Sequence, residues 1–179
     1  MRLLKEVNLI DNKKLIFWIN SMSIILLILF ALIFWIFTLM FSPTRTLPFN
    51  IAYFFFMTPL LLIFIIFAHE GIHGLFFKLF KPKSEVRFGF KNGMFYATSP
   101  NSYYSKYKFI CISLAPFIII TVSLIISYFL GLLSQPLFIL LTSVHGAGCI
   151  GDFYWIWLLL KSPRNTIVED TEIGISLYV

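Results

Sequence analysis

The sequence predicts an all-α membrane protein of four transmembrane helices, with a small cytoplasmic β-hairpin between the second and third. Three observations carry this. Of 179 residues, 59% are hydrophobic, 19% aromatic and only 12% charged, with a mean hydropathy of +0.90; a soluble domain of this length cannot hide so much apolar surface. The apolar residues gather into four runs, about 15–41, 49–80, 109–133 and 137–160, each longer than the roughly 20 residues that cross a hydrocarbon core. A polar segment, 81–108, separates the second run from the third.

The first run is too long for a signal-peptide core and lacks a small-residue cleavage pattern, so it reads as a span. Pro43 and Pro48 punctuate the connection to the second run. Pro59 and Pro116 fall inside the second and third runs, where prolines are expected to kink helices. Within 81–108, residues 84–90 alternate, Lys91-Asn92-Gly93 has turn chemistry, and residues 94–98 can pair back. This hairpin reads either as a connecting cap or as an edge strand that takes an extended substrate by strand addition. Gly131, Ser134 and Pro136 mark the turn into the fourth run, and the polar tail 161–179 is expected to be loosely ordered towards its end. Cys111 and Cys149 lie in apolar runs without a C-x-x-C pair and read as space-filling. The chain is taken as one polytopic domain, 1–179.

Charge gives the orientation. The formal net charge is +6, from 14 basic and 8 acidic residues, and the charges cluster outside the apolar runs. A nucleic-acid binder would instead carry a basic stripe on a folded face, so no nucleic-acid partner is expected. Arg2, Lys5, Lys13 and Lys14 precede the first run; Lys78, Lys81, Lys83, Arg87, Lys91, Lys106 and Lys108 surround the central segment; Lys161 and Arg164 follow the fourth run. The outer loops hold only Arg45. Both termini and the central segment are therefore expected in the cytoplasm, with the protein multi-pass in the cell membrane.

Against this background the ionisable residues inside the runs stand out. All three histidines, His69, His73 and His145, lie in apolar runs, and of eight carboxylates only Glu70 and Asp152 do. A charge at the bilayer centre costs roughly 2.5–3.5 kcal/mol even on a lenient scale, so such residues are candidates for function. His69-Glu70-Gly71-Ile72-His73 has the H-E-x-x-H spacing of zinc hydrolases. Positions i and i+4 share one helix face, about 6 Å apart along the axis, so both imidazoles can hold one metal. Glu70 is rotated by about 100° from His69, placed to act as a general base on water.

A catalytic zinc needs a third protein ligand. The metzincin extension is excluded, because Phe76 and Leu79 stand where Gly and His are required, and Glu85 lies beyond Pro82 in polar sequence. At 1.5 Å per residue, His73 lies about 12 Å from the cytoplasmic end of its run. Asp152 lies about 13–14 Å, and His145 about 24 Å, from the same side. Depth therefore selects Asp152 as third ligand. His145 could stabilise the transition state, hydrogen-bond within the bundle, or replace Asp152 if the stretch holding Gly146, Gly148 and Gly151 unwinds. Those glycines also permit close helix approach.

The motif in the second run, Ser113-Leu114-Ala115-Pro116 in the third, and residues 145–152 (HGAGCIGD) in the fourth resemble a bacterial family of zincin-type membrane peptidases of unknown function, as does the tail Val168-Glu169-Asp170-Thr171. More distantly, the layout is similar to site-2 proteases, which cleave transmembrane substrates with zinc held inside the membrane. The resemblance implies His69 and His73 as zinc ligands, Asp152 as the third and Glu70 as base. Site-2 proteases carry Asn-Pro upstream of that Asp and Gly after it; here His145 lies upstream and Phe153 follows. The expected function is an intramembrane zinc metalloprotease acting on a membrane protein or peptide within the lipid bilayer. The alternatives are a non-enzymatic membrane protein handling or sensing metal or protons, and a zinc hydrolase of a non-peptide substrate. Oligomeric state leaves no mark in the sequence.

Overall fold

Two asparagines start the first two long helices. In the computed structural model, which describes residues 1–8, 12–44, 47–91, 94–171 and 174–179, the Asn12 side chain accepts the Leu15 N–H at 3.0 Å. That of Asn50 accepts the Tyr53 N–H at 3.0 Å. Each satisfies one of the orphan donors of a first helical turn, and helices α1 (Lys13–Met40) and α2 (Ile51–Phe80) follow. Helix α3 (Lys106–Phe129) closes at Gly131, φ 71°. There the Gly131 and Leu132 N–H groups bond back to the Tyr128 and Ser127 carbonyls, each at 3.0 Å, a left-handed closure that glycine adopts without strain. Pro59 and Pro116 lie inside α2 and α3.

These three helices are long and apolar enough to cross a membrane. The fourth run, read as one span, is two helices, α4 (Gln135–Gly148) and α5 (Ile150–Leu160), broken at Cys149. Counted together they bring the number of candidate spans to four. The break falls among Gly146, Gly148 and Gly151, where the weak helix propensity of glycine makes an interruption cheap.

Strands β2 (Arg87–Lys91) and β3 (Met94–Thr98) form where the hairpin is expected, but the otherwise all-α expectation is corrected by β1 (Leu3–Asn8), β4 (Tyr103–Ser105), β5 (Ile167–Thr171) and β6 (Gly174–Tyr178). β2 and β3 pair antiparallel with Phe88 opposite Ala97 and Gly89 opposite Tyr96. The Tyr96 ring occupies the space a side chain at residue 89 would take. The predicted turn residues Asn92 and Gly93 lie outside the described residues, as does Arg45. The other four strands form an antiparallel sheet in the order β1-β6-β5-β4. The tail expected to be loosely ordered thus supplies the two central strands. Val168 and Leu177 are buried there, and the strands are held by partners far away in the sequence. At Gly174 a β-carbon would fall 1.8 Å from the Val7 carbonyl oxygen, so only glycine allows β1 to approach so closely.

The chain divides into two compact units. The first, residues 1–19, 68–116 and 151–179, contains both sheets. Its core joins Val7, Val168, Ile175 and Leu177 of the strands to Phe77 of α2, Phe109 and Ile112 of α3, and Leu158 and Leu159 of α5. The second, residues 20–67 and 117–150, is packed by aromatic rings. Tyr128 stacks on Phe138 at 4.5 Å and Phe34 meets Phe138 edge-on at 5.7 Å. Gln135 Nε2 donates to Thr38 Oγ1 at 2.9 Å. Ile25, Ile28, Phe55, Phe56 and Phe64 of this unit are exposed, which suits helices whose outer solvent is lipid.

Candidate metal centre

The first unit builds a site on one face of α2. His69 and His73, one turn apart, point their Nε2 atoms to within 3.1 Å of each other. Asp152 enters from the first turn of α5. Its Oδ2 lies 3.2 Å from His69 Nε2 and its Oδ1 3.2 Å from His73 Nε2. The three side chains are 15%, 11% and 13% exposed, so they are shielded but within reach of water. The acid that depth matching singles out therefore does meet both imidazoles.

Two main-chain contacts and one close side-chain approach surround this group. His73 Nδ1 lies 3.0 Å from the Ile112 carbonyl oxygen; a carbonyl only accepts, so Nδ1 carries the hydrogen. The backbone N–H of Ala97 in β3 lies near the Glu70 carboxylate. A β-carbon on Gly74 would come within 2.7 Å of the Phe88 ring, so the missing side chain lets β2 settle against α2 just beyond His73. The hairpin thus lies over the stretch of α2 that carries the motif. Sequence reading missed Ala97 and Ile112 as partners because both act through the main chain, which has no residue-type signature.

The donor set tests whether a metal fits. With its hydrogen on Nδ1, neutral His73 presents a lone pair at Nε2, and that lone pair faces a carboxylate oxygen. Two acceptors at 3.2 Å repel unless a proton or a metal ion lies between them, and this arrangement accommodates either. A tetrahedral zinc with bonds of about 2.0–2.1 Å sets its ligand atoms about 3.3 Å apart, close to the separations found here. One donor atom from each of His69, His73 and Asp152 lies within 4.8 Å of the others. Two imidazoles and one carboxylate form a set used by catalytic zinc sites.

Two further candidates remain, Glu85 and His145. Glu85 is exposed and pairs with Arg87 at 3.0 Å; the guanidinium holds its carboxyl below the usual range, consistent with its rejection as a ligand. His145 belongs to the second unit, in the last turn of α4. Its buried ring stacks over Phe117 at 6.5 Å, with Nε2 3.7 Å from Cys149 Sγ.

A family model described as "Putative zincin peptidase" matches residues 60–167. The chain belongs to that family. The zincin match takes in His69, Glu70, His73, His145 and Asp152 together with the whole β2–β3 hairpin, and membership implies zinc for the group the geometry assembles. No curated protein and no solved structure matches the chain.

Proposed function

We propose that this protein is an intramembrane zinc metallopeptidase that hydrolyses a peptide bond in or near a membrane segment of a protein or peptide substrate. The observation that carries this reading is the convergence of His69, His73 and Asp152 at 3.1–3.2 Å, on helices apolar enough to cross a membrane. His69, His73 and Asp152 hold the metal. Bound zinc supplies Lewis acidity towards water and the scissile carbonyl.

The residues of the chain do the rest. Glu70, next to His69 and near the Ala97 N–H, takes a proton from the attacking water and passes it to the departing amine nitrogen. The edge of β3 not paired with β2 offers main-chain groups beside Glu70 to which an extended substrate can add as a strand. A two-stranded ribbon with one edge at the site favours an unwound peptide over a helical one. The excess of Lys and Arg in both tails and the central segment supports a site opening towards the cytoplasm.

The test uses full-length protein purified into nanodiscs. It should contain about one zinc per chain. Glu70→Gln should keep that zinc and lose cleavage by roughly 10²- to 10⁴-fold, the usual contribution of a general base. A Glu70→Gln variant with full activity, or a wild-type protein without zinc, would overturn the assignment.

A further inference from the structure

The Ile112 carbonyl that holds His73 is available for a reason written four residues later. In an uninterrupted α-helix the carbonyl of residue 112 receives the N–H of residue 116. Residue 116 is Pro116, inside α3, which has no N–H to give. Ile112 is 1% exposed, so water does not readily take the place of the missing donor, and a buried carbonyl without a partner is costly. His73 Nδ1 lies 3.0 Å from that oxygen.

We propose that Pro116 is a positioning residue for the metal centre: by withholding the helical donor from Ile112 it leaves that carbonyl to His73 and fixes the imidazole with its hydrogen on Nδ1 and its Nε2 lone pair towards His69 and Asp152. The inference rests on the reading of these three residues as metal ligands. It gives the third helix a task in the site although none of its side chains reaches His73 by a hydrogen bond among the described contacts. Proline also crowds the carbonyl four residues before it and turns it away from the helix axis, which aims the oxygen outward. The partner on the second nitrogen of a metal-binding histidine sets its tautomer and orientation, and losing such a partner costs roughly 10- to 100-fold in metal affinity.

The experiment separates the missing donor from the shape of the ring. In full-length protein in nanodiscs, zinc affinity is measured by chelator competition, and the His73 tautomer by ¹⁵N NMR of the metal-free form. Pro116→Ala restores an N–H that competes for the Ile112 carbonyl. It should weaken zinc binding roughly 10- to 100-fold and move the His73 hydrogen towards Nε2. Lactic acid in place of Pro116, linked through an ester, has neither ring nor N–H and should behave as wild type. Pro59→Ala, which changes the helix proline of α2, should leave both readouts unchanged.

Should Pro116→Ala not fold, the α-hydroxy analogue of Ser113 serves instead. It turns the Ile112 carbonyl into an ester, a weaker acceptor, and should shift both readouts the same way. Wild-type affinity and tautomer in Pro116→Ala would overturn the proposal. So would an ester at position 116 as damaging as alanine, because the ring and not the absent donor would then matter. A wild-type protein that binds no zinc sinks the peptidase reading, while the tautomer comparison still decides the role of Pro116.

Discussion

At the scale of single residues, the site is defined by which polar groups face one another. Asp152 meets His69 and His73 at 3.2 Å, while His145 stacks on Phe117 in the second unit. If Asp152 is the ligand proposed, removing it should cost more than removing His145. Asp152→Ala is expected to exceed the roughly 10- to 100-fold loss of zinc affinity typical of an outer-shell change, with His145→Ala well below it. Chelator competition on both variants checks this, and the reverse order would give His145 the ligand role. These side chains were legible in the sequence because ionisable residues are rare in apolar runs, and depth counted in residues along a helix paired Asp152 with His73. The contacts of Ile112 and Ala97 were not legible. A carbonyl or an amide hydrogen belongs to every residue, and only folding decides which one is free.

At the scale of elements, the C-terminal strands do more than close the core. Asp170 of β5 is buried and accepts the Ser99 N–H at 2.9 Å, immediately after β3. The Ser99 hydroxyl lies 2.9 Å from the Tyr104 hydroxyl, which in turn reaches the Phe77 carbonyl of α2 at 3.5 Å. The tail thereby ties down the end of the strand whose Ala97 touches Glu70. Burial pushes the Asp170 carboxyl up from its ordinary 3.8 to about 7, so the folded protein holds this proton more tightly than the unfolded chain. The stabilisation is complete below pH of about 4 and is lost as pH rises through about 7. Thermal melts of nanodisc samples should show a transition temperature that falls across this window. Asp170→Asn should flatten that part of the slope, and an unchanged slope would show that Asp170 does not titrate there. The sheet escaped the sequence for a physical reason. The hairpin joins neighbours and announces itself by alternation and turn residues, whereas β5 has partners in β4 and β6, and β6 has β1, more than 160 residues away. A strand stabilised by such a partner leaves only a short polar–apolar alternation in a tail.

At the scale of the whole molecule, the four-stranded sheet constrains topology. It contains residues before the first candidate span, residues between the second and third, and residues after the last. Strands bonded in one sheet cannot lie on opposite sides of a bilayer, so these three segments share one side, and the number of crossings between them is even. On the proposed reading, the excess of Lys and Arg in these segments makes the cytoplasm that side. Single-cysteine labelling at Lys5, Tyr103 and Ser176 in oriented vesicles should give the same sidedness at all three positions; one position labelled from the opposite face would break the topology. The pairing of β1 with β6 also sets an order of events. Arg2 and Val179 exchange backbone hydrogen bonds at 2.8 and 3.0 Å, and among the described residues β1 has β6 as its only neighbour in the sheet. A ribosome makes β1 first and β6 last, so the first strand must wait, unpaired, while every span is synthesised and inserted. The sheet that steadies β3 beside Glu70 can therefore close only after β6 emerges. A nascent chain carries His69, Glu70 and His73 long before it carries the strands that steady β3, so on the proposed reading the order of synthesis itself delays activity until β6 is made.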